Sequence, residues 1–212
     1  MDFEAERARL VEHLSSEIKD KRVLAAMACI PRECFVPPDE QYLAYEDIPL
    51  SIGLDQTISQ PFIIALMTEA LELSGREKVL EVGTGSGYQA AILAELAHFV
   101  VTTERLLPLA EAARKVLDSL GYNNIEIHLA EETLGYQRES PYDAIMVTAA
   151  APKVPASLLA QLAIGGRMVI PVGPRHVQEL YKITKRKQKN MVQNLGGCRF
   201  VPLIGKDAWE KE

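Results

Sequence analysis

The pattern of hydrophobic and polar positions changes character at Pro61. Before that residue, apolar side chains recur at helical spacing from Phe3 to Ile18 and again from Val23 to Ile30, which predicts two amphipathic helices. The stretch from Pro31 to Pro61 is rich in proline, glycine and aspartate and has no sustained period. A loop of this length inside a compact domain is usually either functional or misassigned.

After Pro61, short apolar segments alternate with amphipathic ones. This pattern predicts a helix that begins near Ile63 and ends near Ser74, followed by five strands and three more helices. The predicted strands are residues 78–82, 99–103, 125–129, 144–147 and 167–172, and the predicted helices are about 88–96, 107–120 and 155–162. Strands that alternate with helices indicate a mostly parallel sheet covered on both faces.

The C-terminal region predicts two more strands, at residues 179–184 and 198–203, which form an antiparallel hairpin with an exposed tip at 185–190. The complete prediction is an α/β fold with a doubly wound, mostly parallel, seven-stranded sheet. We expect a single domain over residues 1–212, in which 1–61 form an N-terminal helical and loop extension and 62–212 the α/β core.

Composition narrows the class of protein. The chain has 212 residues, 48% of them hydrophobic, which suits one substantial core, and its net charge of −6 argues against a nucleic acid as partner. Three cysteines without a pairing motif and four scattered histidines predict neither a disulfide framework nor a metal site. No apolar run is long enough to span a membrane. We therefore expect a cytoplasmic protein, and a monomer, because no pattern demands a partner subunit.

The turn Glu81-Val82-Gly83-Thr84-Gly85-Ser86-Gly87 ends a predicted strand and opens a helix, where glycines let the backbone approach a ligand closely. The dinucleotide fingerprint G-x-G-x-x-G fails here, because Tyr88 occupies its last position. The turn therefore favours S-adenosylmethionine, which has no phosphate to bind, over a nicotinamide dinucleotide. Glu81 could accept a hydrogen bond from the ammonium group, and Glu104, after the next strand, could accept both ribose hydroxyls.

Two simpler interpretations stay open at this point. The glycines could serve strand–helix packing alone, with Glu104 a solvated surface acid. Thr57 or Ser59 could cap the helix that follows Pro61, since hydroxyl side chains favour that position. A nicotinamide oxidoreductase is a further alternative, because some of these enzymes carry a Y-x-x-x-K pair on a helix and Tyr181 and Lys185 have this spacing. Here the pair lies on a predicted strand, where four residues separate the side chains by ~13 Å, too far for them to act together.

A specific resemblance goes further than these motifs. The glycine turn and eight further segments resemble the protein-L-isoaspartate O-methyltransferase family: residues 44–47, 49–53, 56–61 (Gln-Thr-Ile-Ser-Gln-Pro), 142–145, 147–150, 165–167, 169–173 and 199–203. The resemblance covers nearly the whole chain from about Pro31. The glycine turn is common to many methyltransferases, whereas the Thr-Ile-Ser-Gln-Pro segment is much more specific.

The resemblance implies a class I methyltransferase fold and methyl transfer from S-adenosylmethionine to the α-carboxylate of L-isoaspartyl residues in damaged proteins and peptides. The ester then closes to a succinimide, which starts repair. The serine that matches Ser59 is the catalytic residue. Substrate-binding residues are Thr57, Ser59, Thr148 and Ala149, and cofactor-binding residues are Gln56, Thr57, Ile58, Glu81, Val82, Gly83, Thr84, Gly85, Ser86, Gly87, Glu104, Arg105, Glu131 and Glu132.

This chemistry needs no base. A carboxyl group with a pKa near ~3.5 is already ionised at neutral pH, so the reaction requires alignment rather than proton transfer. No histidine is placed to make Ser59 a hydrolase nucleophile.

Two positions depart from the family pattern. Ala130-Glu131-Glu132 replaces a Gly-Asp-Gly-like turn, with Glu131 keeping an acceptor for the adenine amine, and Asp55, expected to face outward, replaces a glycine. A methyltransferase for RNA, DNA or small molecules is an alternative, as is a cofactor-binding module without catalysis. Base amino methylation typically needs a polar-Pro-Pro-aromatic clamp, and Thr148-Ala149-Ala150-Ala151-Pro152 stands there instead.

Overall fold

The computed structural model describes residues 2–210, within which the strands form one seven-stranded sheet and a separate two-stranded hairpin. The helices are α1 (Phe3–Leu14), α2 (Lys21–Cys29), α3 (Pro61–Ala70), α4 (Tyr88–Leu96), α5 (Leu107–Ser119) and α6 (Ala156–Gln161). The strands are β1 (Leu50–Gly53), β2 (Gln56–Ile58), β3 (Lys78–Val82), β4 (Phe99–Glu104), β5 (Ile125–Leu129), β6 (Tyr142–Val147), β7 (Leu162–Val172), β8 (Gln178–Thr184) and β9 (Met191–Cys198). No helix in this range is long and apolar enough to cross a membrane.

The seven strands lie in the order β5-β4-β3-β6-β7-β8-β9. The first five are parallel, whereas β8 runs antiparallel to both β7 and β9. The chain builds outward from β3 to β5 and then returns to place β6 on the other side of β3. The predicted doubly wound, mostly parallel sheet is therefore confirmed, and ligands bind such sheets where the strand order reverses, at the carboxyl ends of β3 and β6.

Alternate residues of the central strands enter two different cores, as the pleat requires. Val79 and Ala144 belong to the core that also contains apolar residues of α1 to α5. Leu80 and Ile145, one position further along the same strands, belong to the core that contains Leu158 of α6. The continuous apolar runs of these strands follow from this burial on both faces.

The stretch from Pro31 to Pro61 is more ordered than its composition indicates. It contains two 3-10 turns, at Arg32–Phe35 and Gln41–Leu43, and the antiparallel β1–β2 hairpin. Asp55 is exposed in the turn of that hairpin with φ of +57°, so its predicted outward orientation is confirmed. The helical pattern missed these elements because each is only three or four residues long.

The prediction of a strand at residues 198–203 is wrong. Strand β9 is Met191–Cys198, and the chain then leaves the ladder, where the buried side chain of Gln178 accepts a hydrogen bond from the Phe200 N–H at 2.9 Å. The apolar pattern missed β9 because this edge strand is largely exposed on both faces and has no alternation to detect. Residues 199–203 carry the apolar pattern because they cover the end of the sheet.

Candidate active site

A cleft of about 730 Å³ opens at the carboxyl ends of β3, β4 and β6, where the strand order reverses. Predicted residues in its lining are Gln56, Thr57, Val82, Gly83, Gly85, Glu104, Arg105, Glu131, Thr148 and Ala149. The structure therefore brings together residues from five separate segments of the chain. A concave site at a reversal of strand order is where open α/β sheets bind small molecules.

The glycine turn brings its backbone to the floor of this cleft. Gly83 has φ of +103°, and a Cβ atom at that position would overlap the hydroxyl oxygen of Thr148. That hydroxyl lies 2.9 Å from the Val82 carbonyl oxygen and 2.7 Å from the Gly83 carbonyl oxygen, so it clamps the end of β3 against the end of β6. Gly87 lines neither this cleft nor its neighbour and packs against α5, which makes it a packing glycine.

Glu104 holds the turn from the neighbouring strand. Its carboxylate accepts hydrogen bonds from the Gly85 N–H at 2.9 Å and from the Leu106 N–H at 2.8 Å. The side chain is nearly buried and lines the cleft. Because a carboxylate offers about four lone-pair positions, two acceptor sites remain for a ligand.

A second, smaller cavity of about 390 Å³ adjoins the first. Thr57, Gly83 and Thr148 line both cavities and so lie where the two meet, whereas Ser59 lines only the smaller one. Ile58, Thr84 and Ser86, predicted as cofactor contacts, also line the smaller cavity.

Asp47 fixes the start of α3, which directly follows the Thr57–Ser59 segment. Its carboxylate accepts hydrogen bonds from the Phe62 N–H at 2.7 Å and the Gln60 amide at 2.9 Å, so it caps α3 from a distant point in the chain. The N-cap residue Gln60 supplies no side-chain cap. Capping by Thr57 or Ser59 is therefore wrong, and within residues 2–210 neither hydroxyl has a hydrogen-bond partner.

Comparison with known proteins identifies the family. A family model described as "Protein-L-isoaspartate(D-aspartate) O-methyltransferase (PCMT)" matches residues 5–208. The chain belongs to this family. Protein-L-isoaspartate O-methyltransferase of Geobacter metallireducens is 54% identical over 215 residues, covering 100% of both chains. The Dictyoglomus thermophilum protein of the same name is 54% identical over 99% of this chain and 96% of its own.

Solved structures give the same result. A protein-L-isoaspartate O-methyltransferase with 29% identity superposes with a TM-score of 0.85 over 95% of this chain and 67% of that chain. A PCMT structure from Plasmodium falciparum, in complex with S-adenosyl-L-homocysteine, has 25% identity and a TM-score of 0.80 over 92% and 96% of the two chains. The isoaspartyl O-methyltransferase activity and the methyl donor S-adenosylmethionine, both predicted from the sequence, are thereby confirmed.

The residues of the larger cleft fit this methyl donor. The floor at Gly83 admits a ligand against bare backbone, Glu104 keeps free acceptor positions, and Leu134 adds an apolar surface for a flat ring. Glu131 lies at the rim, where its carboxylate accepts a hydrogen bond from Arg138 at 3.0 Å. Glu132 is exposed and lines neither cavity, and its carbonyl accepts from the Lys206 N–H at 3.4 Å.

The structure puts Glu81 beneath the turn rather than in the cleft. Its side chain is fully buried and lines neither cavity. One carboxyl oxygen accepts a hydrogen bond from the Thr102 hydroxyl at 2.5 Å, and the other has no partner within residues 2–210. Burial raises the pKa of Glu81 from 4.5 to about 8; the Glu104 charge adds to this rise, and the Thr102 hydrogen bond opposes it.

This raised pKa sets a pH dependence of stability. The folded state keeps the Glu81 proton while the unfolded chain has lost it, so the free energy of unfolding should fall as pH rises from 4.5 to 8. The slope should be about 1 kcal/mol per pH unit. Glutamine does not titrate, so Glu81→Gln should lack this pH-dependent decrease in the free energy of unfolding. In urea titrations, the stability of the variant relative to wild type should therefore increase between pH 5 and pH 8.5. The exposed Glu111→Gln is the control, and a Glu81→Gln difference that is constant with pH would contradict the assignment.

Sequence reasoning missed a wall of the cleft formed by the C-terminal segment. Its lining residues there are Val201, Pro202, Leu203 and Ile204. The main-chain N–H of Ala150 bonds to the Val201 carbonyl, and that of Leu203 to the Ala150 carbonyl, both at 2.8 Å. Other missed residues are Thr103, Ala130, Leu134 and Gly135 in the larger cleft and Ile64, Met67, Gln89 and Phe200 in the smaller cavity. For the C-terminal wall, the only signal in the sequence was the family resemblance of residues 199–203.

Proposed function

We propose that the larger cleft holds S-adenosylmethionine and that the smaller cavity receives the isoaspartyl α-carboxylate, with methyl transfer from one bound molecule to the other where the two cavities meet. The observation that carries this assignment is the shared wall of Thr57, Gly83 and Thr148, with Ser59 on the smaller side alone. Two adjoining cavities at the ends of β3 and β6 place two bound molecules side by side, and direct transfer requires such neighbours with their reacting atoms in line and in contact.

S-adenosylmethionine supplies a methyl group that is already activated on sulfonium. The protein must then bind and orient an oxygen that is already ionised, so no base is required. We propose that the Ser59 hydroxyl, which has no partner among residues 2–210, donates a hydrogen bond to the α-carboxylate and fixes its direction. Thr57 shapes the same boundary with a second unengaged hydroxyl.

Thr148 and Ala149 would interact with the substrate peptide in a different way from Ser59. The Thr148 hydroxyl proton is engaged by the carbonyl oxygens at the end of β3, so this side chain offers a substrate only its oxygen lone pairs. The small Ala149 leaves room for an extended peptide backbone close to the reacting groups. After release, attack by the next backbone nitrogen on the methyl ester closes a succinimide and expels methanol.

The substrate assignment predicts a strict difference between two isomeric peptides. Radiolabelled methyl from S-adenosylmethionine should enter an isoaspartyl peptide and not the peptide of the same sequence with normal aspartate. Only the isoaspartyl isomer presents the α-carboxylate on a side branch that can reach past Thr57. Equal labelling of both peptides would refute the substrate proposal.

Ser59→Ala should reduce kcat/KM for the isoaspartyl peptide about 10- to 100-fold, because one oriented hydrogen bond to a charged group is lost. Affinity for S-adenosylhomocysteine, measured by calorimetry, should change less than about threefold, since Ser59 does not line the larger cleft. Ser51→Ala, the same chemical change on the neighbouring strand β1, is the matched control and should leave both values unchanged. A cofactor affinity that falls as far as turnover would make Ser59 a cofactor contact.

We also propose that the chain acts as a single domain and as a monomer in the cytoplasm. The single domain is supported by the shared core, in which residues of α1 and α2 pack with strand residues such as Val79. The cytoplasmic location is supported by the three cysteines, which are all free. Gel filtration with light scattering tests the oligomeric state.

A further inference from the structure

Arg32 is a buried cation behind the proposed substrate cavity. It lies in the first 3-10 turn, and its side chain is fully buried. Its Nη2 donates a hydrogen bond to the carbonyl oxygen of Ser59 at 3.0 Å. Its Nε and Nη1 are also buried, and neither has a hydrogen-bond partner within residues 2–210.

The same guanidinium contacts the start of α4. It lies over the ring of Tyr88, with its central carbon 5.0 Å from the ring centroid. Tyr88 directly follows the glycine turn and is itself fixed by the ring of Phe35, whose centroid is 5.4 Å away. Arg32 therefore connects the first residue of α4 to the main chain of Ser59.

The charge of Arg32 is not neutralised locally. Other largely buried arginines in the described part of the chain have carboxylate partners, Arg7 with Glu33 at 3.3 Å and Arg167 with Glu77 at 3.6 Å. Within residues 2–210 Arg32 has no such ion pair, and the nearby Asp47 carboxylate accepts hydrogen bonds from Gln60 and Phe62. Burial lowers the pKa of Arg32 to about 10, so the group remains charged at neutral pH.

A buried charge without a partner is costly, and the cost falls when an anion arrives close to it. The proposed anion is the α-carboxylate bound by the Ser59 hydroxyl, on the residue whose carbonyl Arg32 already holds. Within residues 2–210 no carboxylate forms an ion pair with Arg32: the Asp47 charge acts on it only from nearby, whereas the Ser59 main chain lies directly against the guanidinium. That arrangement leaves the positive potential available to the substrate.

We propose that Arg32 is a positioning and specificity-determining residue, which fixes the Ser59 main chain and supplies the positive charge that selects an anionic α-carboxylate. This inference rests on the proposed role of Ser59. Arg32 acts through Ser59 and through its field, and it does not need to touch the substrate.

The test compares two ligands that differ in charge at one group. One is the isoaspartyl peptide and the other is the same peptide with its α-carboxylate converted to a carboxamide. Binding of each is measured by calorimetry in the presence of S-adenosylhomocysteine. In Arg32→Met the preference for the carboxylate should fall about tenfold, because one interaction with a nearby charge in a partly buried site is lost. Binding of the carboxamide peptide should change little.

Two further variants separate charge from structure. Arg32→Lys keeps a cation and should retain most of the preference at pH 7, even if both peptides bind somewhat more weakly. Arg167→Met is the matched control: that arginine also donates to main-chain carbonyls, those of Leu71 and Glu72, but it pairs with Ala144 near the amino end of β6. Arg167 lines neither cavity, so this variant should leave the preference unchanged. Affinity for S-adenosylhomocysteine reports whether each variant is folded.

Equal weakening of both peptides in Arg32→Met would overturn the proposal and leave Arg32 a structural residue. Should Arg32→Met fail to bind S-adenosylhomocysteine, Arg32→Lys decides the matter, because loss of the preference in a folded, charged variant would also overturn it. Failure of the wild-type protein to label an isoaspartyl peptide is a different result. It would refute the proposed substrate, whatever the Arg32 variants do.

Discussion

Gly83→Ala should lower the affinity for S-adenosylhomocysteine about 100-fold or more, which corresponds to about 3 kcal/mol. Two effects add at this position. An L-residue at φ of +103° costs about 1–2 kcal/mol of backbone strain, and the new Cβ overlaps the Thr148 hydroxyl that clamps β3 to β6. Relief of the overlap requires the turn or Thr148 to move into the cleft where the ligand binds.

A matched control separates these effects. Gly121 has φ of +82°, and a Cβ there meets no atom within 4 Å, so Gly121→Ala has comparable strain without overlap. It should lose stability but keep its ligand affinity. The double variant Gly83→Ala/Thr148→Ala removes the overlapping hydroxyl and should recover part of the affinity. Calorimetric affinity for Gly83→Ala within about threefold of wild type would contradict the proposed role of this floor.

The central strands were predictable because their burial leaves a strong signal. Strands β3 and β5 have the predicted bounds, and β4 and β6 differ by one and two residues. Each is a short apolar run bounded by turn residues, as a strand buried on both faces requires. The glycine turn was equally visible, since its position between such a run and a helix is a matter of local sequence.

The directions of the side chains near the turn were harder to predict from the sequence. Glu81 follows Leu80, which faces the α6 core, so the pleat directs Glu81 to the opposite face, where it is buried. Glu81 was predicted to contact the ligand because it is close to the turn in sequence. The alternation of side chains along β3 instead points it away from the cleft, and it does not line the cleft.

Contacts between distant segments could not be predicted from local patterns. Arg32 in a loop is expected to be solvated, because arginine is rarely fully buried. Only the tertiary structure puts it against Ser59, and only the structure shows Asp47 capping α3 from outside that helix. The C-terminal wall could not be predicted for the same reason. An apolar pattern is the same in a segment that joins a sheet as a strand and in one that covers the end of the sheet.

Glu104→Gln should reduce S-adenosylhomocysteine affinity about 100-fold, because charge-assisted hydrogen bonds are lost and a donor replaces an acceptor. In wild type the two carboxylate oxygens face the N–H groups of Gly85 and Leu106. The glutamine NH₂ must oppose one of these donors, so the turn loses a hydrogen bond at the same time as the ribose loses an acceptor.

The ribose contribution can be isolated with a second ligand. The wild-type protein should bind S-adenosylhomocysteine far more tightly than its 2′,3′-dideoxyribose analogue, and Glu104→Gln should lose most of that difference. A variant that weakens both ligands equally would mean that Glu104 only supports the turn. Glu131→Gln is the control: this acid lies exposed at the rim of the same cleft, and it should change affinity less than about fivefold, because glutamine keeps an acceptor there. The contrast between these two glutamates follows from burial, since Glu104 is buried and also holds the backbone of the turn, whereas Glu131 is exposed.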